Sequence, residues 1–110
     1  MSDCVMKFDL IITIVLKGFA EDAIEAARKA GAEGSTIIEG RGLGIHENAK
    51  ILGMAIEPEK EIILTLIDRN KTQQVLDAIA DAVGLNKPGK GIAVVLKVEE
   101  AIGICHLLNK

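Results

Sequence analysis

The sequence has 110 residues, the length of one globular domain, and we interpret residues 1–110 as a single domain. It is 49% hydrophobic and 26% charged, with a formal net charge of −3 and two aromatic residues, both Phe. An acidic chain with so few rings for base stacking is not expected to bind nucleic acid. Because charged and polar residues interrupt the apolar stretch at 8–16, we expect no signal peptide and no membrane insertion. Two widely separated cysteines favour a reducing, cytoplasmic location.

The spacing of apolar residues predicts two successive strand–helix–strand units. The first unit consists of a strand at 8–16, a helix at 19–30 that stops at Gly31, and a strand at 36–41. A long loop at 45–59 leads to the second unit. This unit has a strand at 61–67, a helix that Asn70 caps and Gly84 ends, and a strand at 92–98. The tail at 103–108 is a candidate fifth strand.

The two predicted units are also similar in sequence. Shifting the chain along itself by about 52 positions aligns 12–15 with 64–67 and 24–27 with 76–79. Two such units in one short chain predict the α+β, ferredoxin-like βαββαβ fold, in which both helices cover one face of a four-stranded antiparallel sheet.

We expect the even-numbered strand residues to face the helices and the odd-numbered residues to form the other sheet face. This odd face is too apolar for a solvated surface, and its residues are Ile11, Thr13, Val15, Ile63, Thr65, Ile67, Ala93 and Val95. The simplest interpretation is an oligomer that covers the face, with β-prone residues on a wet face as the alternative.

Two glycine-rich loops carry the candidate chemistry. Residues 40–44 read Gly-Arg-Gly-Leu-Gly after a strand, and residues 87–91 read Lys-Pro-Gly-Lys-Gly before one. Glycine loops expose backbone N–H groups, and nearby lysines supply positive charge, so both loops are candidates for phosphate binding. Ordinary tight turns are the alternative for each loop.

The run at 31–44, the lysine–glycine loop at 87–92 and the segment at 98–102 occur in an order that resembles the PII signalling family. This resemblance covers nearly the whole chain. It implies a regulatory protein of nitrogen metabolism, not an enzyme, that forms a homotrimer with nucleotides in the clefts between subunits. It also implies that the loop after the second strand binds a target membrane transporter or metabolic enzyme.

The resemblance also implies a set of ligand-binding residues. These are Thr36, Gly42, Leu43, Gly44, His46, Thr65, Lys87, Gly89, Lys90 and Gly91. The chain departs from the family pattern where Leu43 replaces an aromatic residue, Ile45 an arginine and His46 a glutamine. Further departures place Gly103 and Cys105 where phosphate-binding arginines are usual, and Ile92 at a usual lysine, with Lys90 as a candidate substitute. The chain is therefore similar to a divergent PII-like member.

The expected effector is an adenine nucleotide (AMP, ADP, ATP or cyclic AMP) or a small anion, with no cofactor required. The cysteines and histidines lack metal-ligand spacing, so we predict no metal site. No nucleophile has a catalytic context, which predicts that the protein is not an enzyme. The alternative function is a ferredoxin-like module that binds a small molecule or metal, of the ACT or CutA kind, without a nucleotide.

Overall fold

The computed structural model describes residues 7–44, 50–51, 54–55 and 57–104. Their elements are β1 (Phe8–Leu16), α1 (Ala20–Lys29), β2 (Thr36–Arg41), β3 (Lys50–Ile51), β4 (Met54–Ala55), β5 (Glu59–Asp68), a 3-10 turn (Arg69–Lys71), α2 (Thr72–Val83) and β6 (Gly91–Val98). Four strands form an antiparallel sheet in the order β2-β5-β1-β6, and the two helices pack together on one face of it. The predicted α+β, ferredoxin-like fold is confirmed.

The internal similarity has a structural counterpart at the centre of the sheet. Strands β1 and β5 are the first strands of the two units, and they pair in antiparallel register with Ile12 opposite Leu64. These are two of the positions that the sequence repeat aligns. The helices that follow the two strands pack against each other over the sheet.

The orientation of the sheet is opposite to the predicted one. On the central strands β1 and β5 the odd-numbered residues, not the even-numbered ones, face the helices and form the core, whereas Val95 of β6 is 38% exposed. The buried sheet residues on this side are Asp9, Ile11, Thr13, Val15, Ile63, Thr65 and Ile67. They pack with Ala20, Ala23 and Ala27 of α1 and Val75, Ile79 and Val83 of α2.

The even-numbered residues form the opposite face, which we call the open face. Its central part consists of Leu10, Ile12, Ile14, Ile62, Leu64, Leu66, Ile92, Val94 and Leu96. On β6 these side chains are strongly exposed, with Ile92 56% and Leu96 52% accessible. Hydrophobicity predicted the wrong face because the open face is the more apolar of the two, whereas the helix side includes Asp9 and two threonines.

The helix ends are held by residues that differ partly from those predicted. Phe19 supplies no side-chain cap to α1; instead Glu61 Oε1 accepts hydrogen bonds from the backbone N–H groups of Gly18 (2.8 Å) and Ala20 (3.1 Å). The prediction that Asn70 caps α2 is wrong, because Asn70 lies inside the 3-10 turn and donates its own N–H to Asp68. Gly84 does end α2, as predicted, with a φ of 69°.

Asp9 links the start of β1 to the start of α2 through buried polar contacts. Its Oδ1 accepts a hydrogen bond from Arg69 Nε (2.9 Å) and its Oδ2 accepts one from Thr72 Oγ1 (2.7 Å). Arg69 also donates to the Phe8 carbonyl (2.8 Å). Burial raises the pKa of Asp9, but these hydrogen bonds and the charges of Arg69 and Lys97 outweigh it, so the pKa lies below its usual value.

The predicted loop at 45–59 contains described residues that form regular structure. Lys50 and Ile51 of β3 pair with Ala55 and Met54 of β4 as a short antiparallel ladder, and Glu59 already belongs to β5. In the tail, Gly103 and Ile104 are not in a strand, and residues 105–108 lie outside the described residues. Among the described residues, no helix is long and apolar enough to cross a membrane.

Candidate functional site

The two glycine loops lie at the same end of the sheet. The loop at 42–44 follows Arg41, which pairs with Glu59 at the start of β5. The loop at 87–91 leads into β6, where Gly91 pairs with Val15 near the end of β1. Because both loops extend from this end, they point toward the same side of the molecule.

The two loops nevertheless belong to opposite edges of the sheet. In the order β2-β5-β1-β6, three interstrand spacings, about 14 Å in all, separate β2 from β6. The structure therefore does not bring 42–44 and 87–91 into contact within one protomer. A cleft that contains both loops requires two protomers.

Backbone hydrogen bonds at the start of the loop at 42–44 attach it to the sheet. The Gly42 N–H donates to the Pro58 carbonyl (3.2 Å), and the Lys17 N–H donates to the Glu59 carbonyl (3.1 Å). Lys17 Nζ also lies 3.0 Å from Glu59 Oε2, and this carboxylate raises the pKa of Lys17. Leu43 is 49% exposed.

An open groove with charges of both signs lies beside this loop base. Its lining residues are Lys17, Glu39, Gly40, Arg41, Glu59 and Lys60. Sequence reasoning did not single out this groove, because its residues come from the ends of three strands that only the register brings together. Because Lys17 is paired with Glu59 and the groove also contains the Glu39 carboxylate, the groove is not a simple anion site.

Packing explains one of the two glycines in the loop at 87–91. A Cβ atom on Gly91 would lie 2.3 Å from the Ile14 carbonyl oxygen, so the close approach of β6 to β1 requires glycine there. Gly89 has a φ of 78° and nothing within 4 Å of the position that a Cβ would occupy. Gly89 is therefore required only for the shape of an open turn, where its backbone remains accessible.

The two lysines of this loop lie beside the end of α2. A Cβ atom built on Gly84 would lie 3.9 Å from Lys90 Cγ and 4.0 Å from Lys87 Cδ, so both stems pass over this helix end. Neither lysine forms an ion pair with any described residue. Lys90 Nζ instead lies 6.0 Å from the centroid of the Phe19 ring. Sequence reasoning missed Phe19, although it is one of only two aromatic residues.

The two threonines among the predicted ligand-binding residues lie on opposite faces of the sheet. Thr36 is exposed on the open face, at the edge strand β2, where it pairs with Leu64. Thr65 is fully buried on the helix side and its hydroxyl is hydrogen-bonded to Ser35 Oγ (3.0 Å). The structure does not bring Thr65 to Thr36, and only Thr36 is accessible to a ligand.

The remaining predicted residues divide between described and undescribed parts of the chain. His46 lies outside the described residues, as do the cysteines and the second histidine. Among the residues that the structure describes, no group of three or more His, Cys, Asp or Glu side chains could hold a metal ion.

The fold defines the structural class of the protein, and a sequence comparison defines its family. Two βα units that share one antiparallel sheet, with both helices on the same face, are a ferredoxin-like α+β architecture. The family model of nitrogen regulatory protein P-II matches residues 8–106, and the chain belongs to this family. A comparison with curated proteins found no match.

Proposed function

We propose that this P-II family member is a regulatory protein, not an enzyme, which forms a homotrimer and binds an adenine nucleotide in the clefts between protomers. AMP, ADP, ATP and cyclic AMP are the candidate effectors. The segment 45–59 is then the part that contacts a target transporter or metabolic enzyme. Family membership supports the regulatory role, and the observation that carries the site is the pair of lysines, neutralised by no described carboxylate, beside the accessible backbone of Gly89.

The open face of the sheet supports the assembly. It presents aliphatic side chains from all four strands of the main sheet, and those on the edge strand β6 are about half exposed in a single protomer. Contiguous apolar surfaces of this kind mark interaction sites in soluble proteins. A second and a third copy that pack their own open faces against it would remove these side chains from water.

The strand order supports a site that two protomers share. Within one protomer the lysine–glycine loop and the loop at 42–44 lie on opposite edges at the same end of the sheet. When the β6 edge of one protomer lies beside the β2 edge of the next, 87–91 and 42–44 face one cleft. Thr36, exposed on β2, then lines this cleft near the open face.

The charges of the described residues suggest how the anion is held. Lys87 and Lys90 supply two ammonium groups that no described carboxylate neutralises, and Gly89 supplies a backbone N–H in an open turn. Ile92 follows the loop at a position where the family has lysine, and its side chain is 56% exposed. Point charges without bidentate arginines discriminate weakly among phosphate chain lengths, so affinity should depend strongly on salt.

Calorimetry on the wild type and on Lys90→Ala tests this proposal. We expect the wild type to bind at least one of AMP, ADP, ATP and cyclic AMP, and Lys90→Ala to bind it at least about 5-fold more weakly. Lys29→Ala is the matched control, because Lys29 is an exposed lysine on α1 whose partner is Glu25. Absence of nucleotide binding in the wild type would contradict the proposed function.

A thermal-shift screen should include inorganic phosphate, 2-oxoglutarate, bicarbonate, amino acids, Cu²⁺ and Zn²⁺, because a ligand that binds only the native state raises the melting temperature. A shift with amino acids or metal ions and none with nucleotides would favour the ACT-like or CutA-like alternative instead.

A further inference from the structure

We propose that Phe19 is a positioning residue for Lys90. Its ring holds the Lys90 ammonium group beside the lysine–glycine loop, where the phosphate of a nucleotide would bind. This inference rests on the proposed function and adds a residue to its site. Neither the sequence motifs nor the loop itself includes Phe19. It belongs to the turn between β1 and α1.

The ring of Phe19 is partly exposed to solvent, unlike that of a core residue. Of the two phenylalanines, Phe8 is buried at 5% exposure, whereas Phe19 is 41% exposed. The backbone around the ring is fixed, because the Phe19 N–H donates to the Leu16 carbonyl (3.2 Å) and the Phe19 carbonyl accepts from the Ala23 N–H (3.3 Å). These backbone hydrogen bonds fix the direction in which the Phe19 side chain leaves the backbone, and so limit the positions that its ring can reach.

The backbone of Lys90 is restrained by the residue that follows it. Gly89 before it and Gly91 after it both have positive φ, and Gly91 packs tightly on the Ile14 carbonyl of β1. The stem of Lys90 crosses the end of α2, and its ammonium group comes to 6.0 Å from the centroid of the Phe19 ring. A cation at this distance is attracted by the negative face of the ring.

A ring partner differs from a carboxylate partner because it does not neutralise the positive charge of the lysine. The pairs of Lys17 with Glu59 and of Arg28 with Glu25 neutralise those cations. The Phe19 ring carries no net charge, so it restricts the conformations of the Lys90 side chain while the full positive charge remains for a ligand. Ordering this flexible side chain before binding reduces the entropy that binding must offset.

Lys87 provides an internal comparison. It belongs to the same loop and also passes over the end of α2, but the structure records no ring contact for it. If the ring acts through Lys90, replacing Phe19 should weaken the contribution of Lys90 and leave that of Lys87 unchanged. This difference separates a positioning role from a general effect on the fold.

A double-mutant cycle with ADP as the probe tests the inference. Calorimetry would compare the wild type, Phe19→Leu, Lys90→Gln and the double variant, and would repeat Phe19→Leu in a Lys87→Gln background. We expect Phe19→Leu to weaken ADP binding about 2- to 5-fold, Phe19→Tyr to retain wild-type affinity, and Phe19→Leu to have no further effect once Lys90 is replaced. In the Lys87→Gln background the loss due to Phe19→Leu should persist in full.

Several outcomes would overturn the inference. Equal ADP affinity of Phe19→Leu and the wild type would overturn it while the proposed function stands, and so would an undiminished effect of Phe19→Leu in the Lys90→Gln background. A wild type that does not bind ADP would overturn the inference, and a wild type that binds none of AMP, ADP, ATP and cyclic AMP would overturn both.

If Phe19→Leu does not fold, NMR on the wild type and on Phe19→Tyr gives an independent answer. The ε-methylene protons of Lys90 should show an upfield ring-current shift in both proteins, and its absence would overturn the inference.

Discussion

Gly89 and Gly91 lie two residues apart, but their local surroundings predict different costs of substitution. Gly91→Ala would place a Cβ atom 2.3 Å from the Ile14 carbonyl oxygen, at a φ of 135°, so β6 would have to move away from β1. We expect a loss of more than about 3 kcal/mol in the free energy of unfolding. Gly89→Ala meets open space at a φ of 78° and should cost about 1 kcal/mol.

Urea unfolding of the two variants measures this difference directly. A result in which Gly89→Ala is the more destabilised variant would show that the tight contact between Gly91 and β1 is not present in solution. The comparison also decides whether each glycine is evidence for a phosphate site. A glycine that the packing of the sheet requires is not evidence for phosphate binding. Of the two glycines, only Gly89 then has a conformation that packing leaves unexplained.

The polar contacts that link β1 to α2 depend on one ionised carboxylate, that of Asp9. The pKa of Asp9 is lowered from its ordinary value of 3.8: burial opposes this shift, but the hydrogen bonds from Thr72 and Arg69 and the charges of Arg69 and Lys97 exceed it. Because the folded-state pKa lies below the unfolded one, ionised Asp9 stabilises the protein fully above about pH 4. This contribution is lost as the pH falls from there through the folded-state pKa.

We therefore expect Asp9→Asn to lower the free energy of unfolding by about 2 kcal/mol at pH 7, since it weakens the hydrogen bonds of a buried charged group. The difference between the wild type and Asp9→Asn should shrink as the pH falls below about 4. Glu25→Gln is the control: it removes an exposed pair with Arg28 that solvent screens, so it should leave stability almost unchanged. A wild-type advantage that stays constant down to pH 2 would contradict this role of Asp9.

At the level of elements, the sequence was sufficient for the type and order of the two helices and the four strands of the main sheet, but not for the short β3–β4 ladder or for the orientation of the sheet. The range of β2 was predicted as observed, and Gly31 and Gly84 mark the helix ends because their backbone conformations are local properties. The orientation of the sheet depends on contacts between distant residues. Thr65 can be buried because Ser35 lies beside it, and Asp9 can be buried because Arg69 and Thr72 meet it.

The same limit applies to the candidate site. The glycine loops were visible as motifs, but the strand order that places them on opposite edges is a property of the whole sheet. The contact of Lys90 with Phe19 joins the loop before β6 to the turn after β1, and neither segment alone indicates the other. Positions that the chain brings together over long separations are the ones that motif spacing does not predict.

At the scale of the whole molecule, the corrected orientation changes which substitutions should block assembly. Thr13 is fully buried against the helices, so Thr13→Lys, or Ile63→Lys beside it, buries a charge in the core and should unfold the protomer. Ile12 is the preceding residue of the same strand and lies on the open face, where a lysine can reach water in a single protomer. In a trimer that covers this face, the same lysine would be buried without a partner.

We therefore expect Ile12→Lys to give a folded monomer of 11.7 kDa, and the wild type to have three times this mass by light scattering. Leu64→Lys should behave in the same way, because Leu64 is the direct cross-strand neighbour of Ile12 on β5. Circular dichroism should show native helix content for Ile12→Lys and Leu64→Lys and its loss for Thr13→Lys. An Ile12→Lys protein that keeps the mass of the wild type, or a wild type that is itself monomeric, would exclude the open face as the assembly surface.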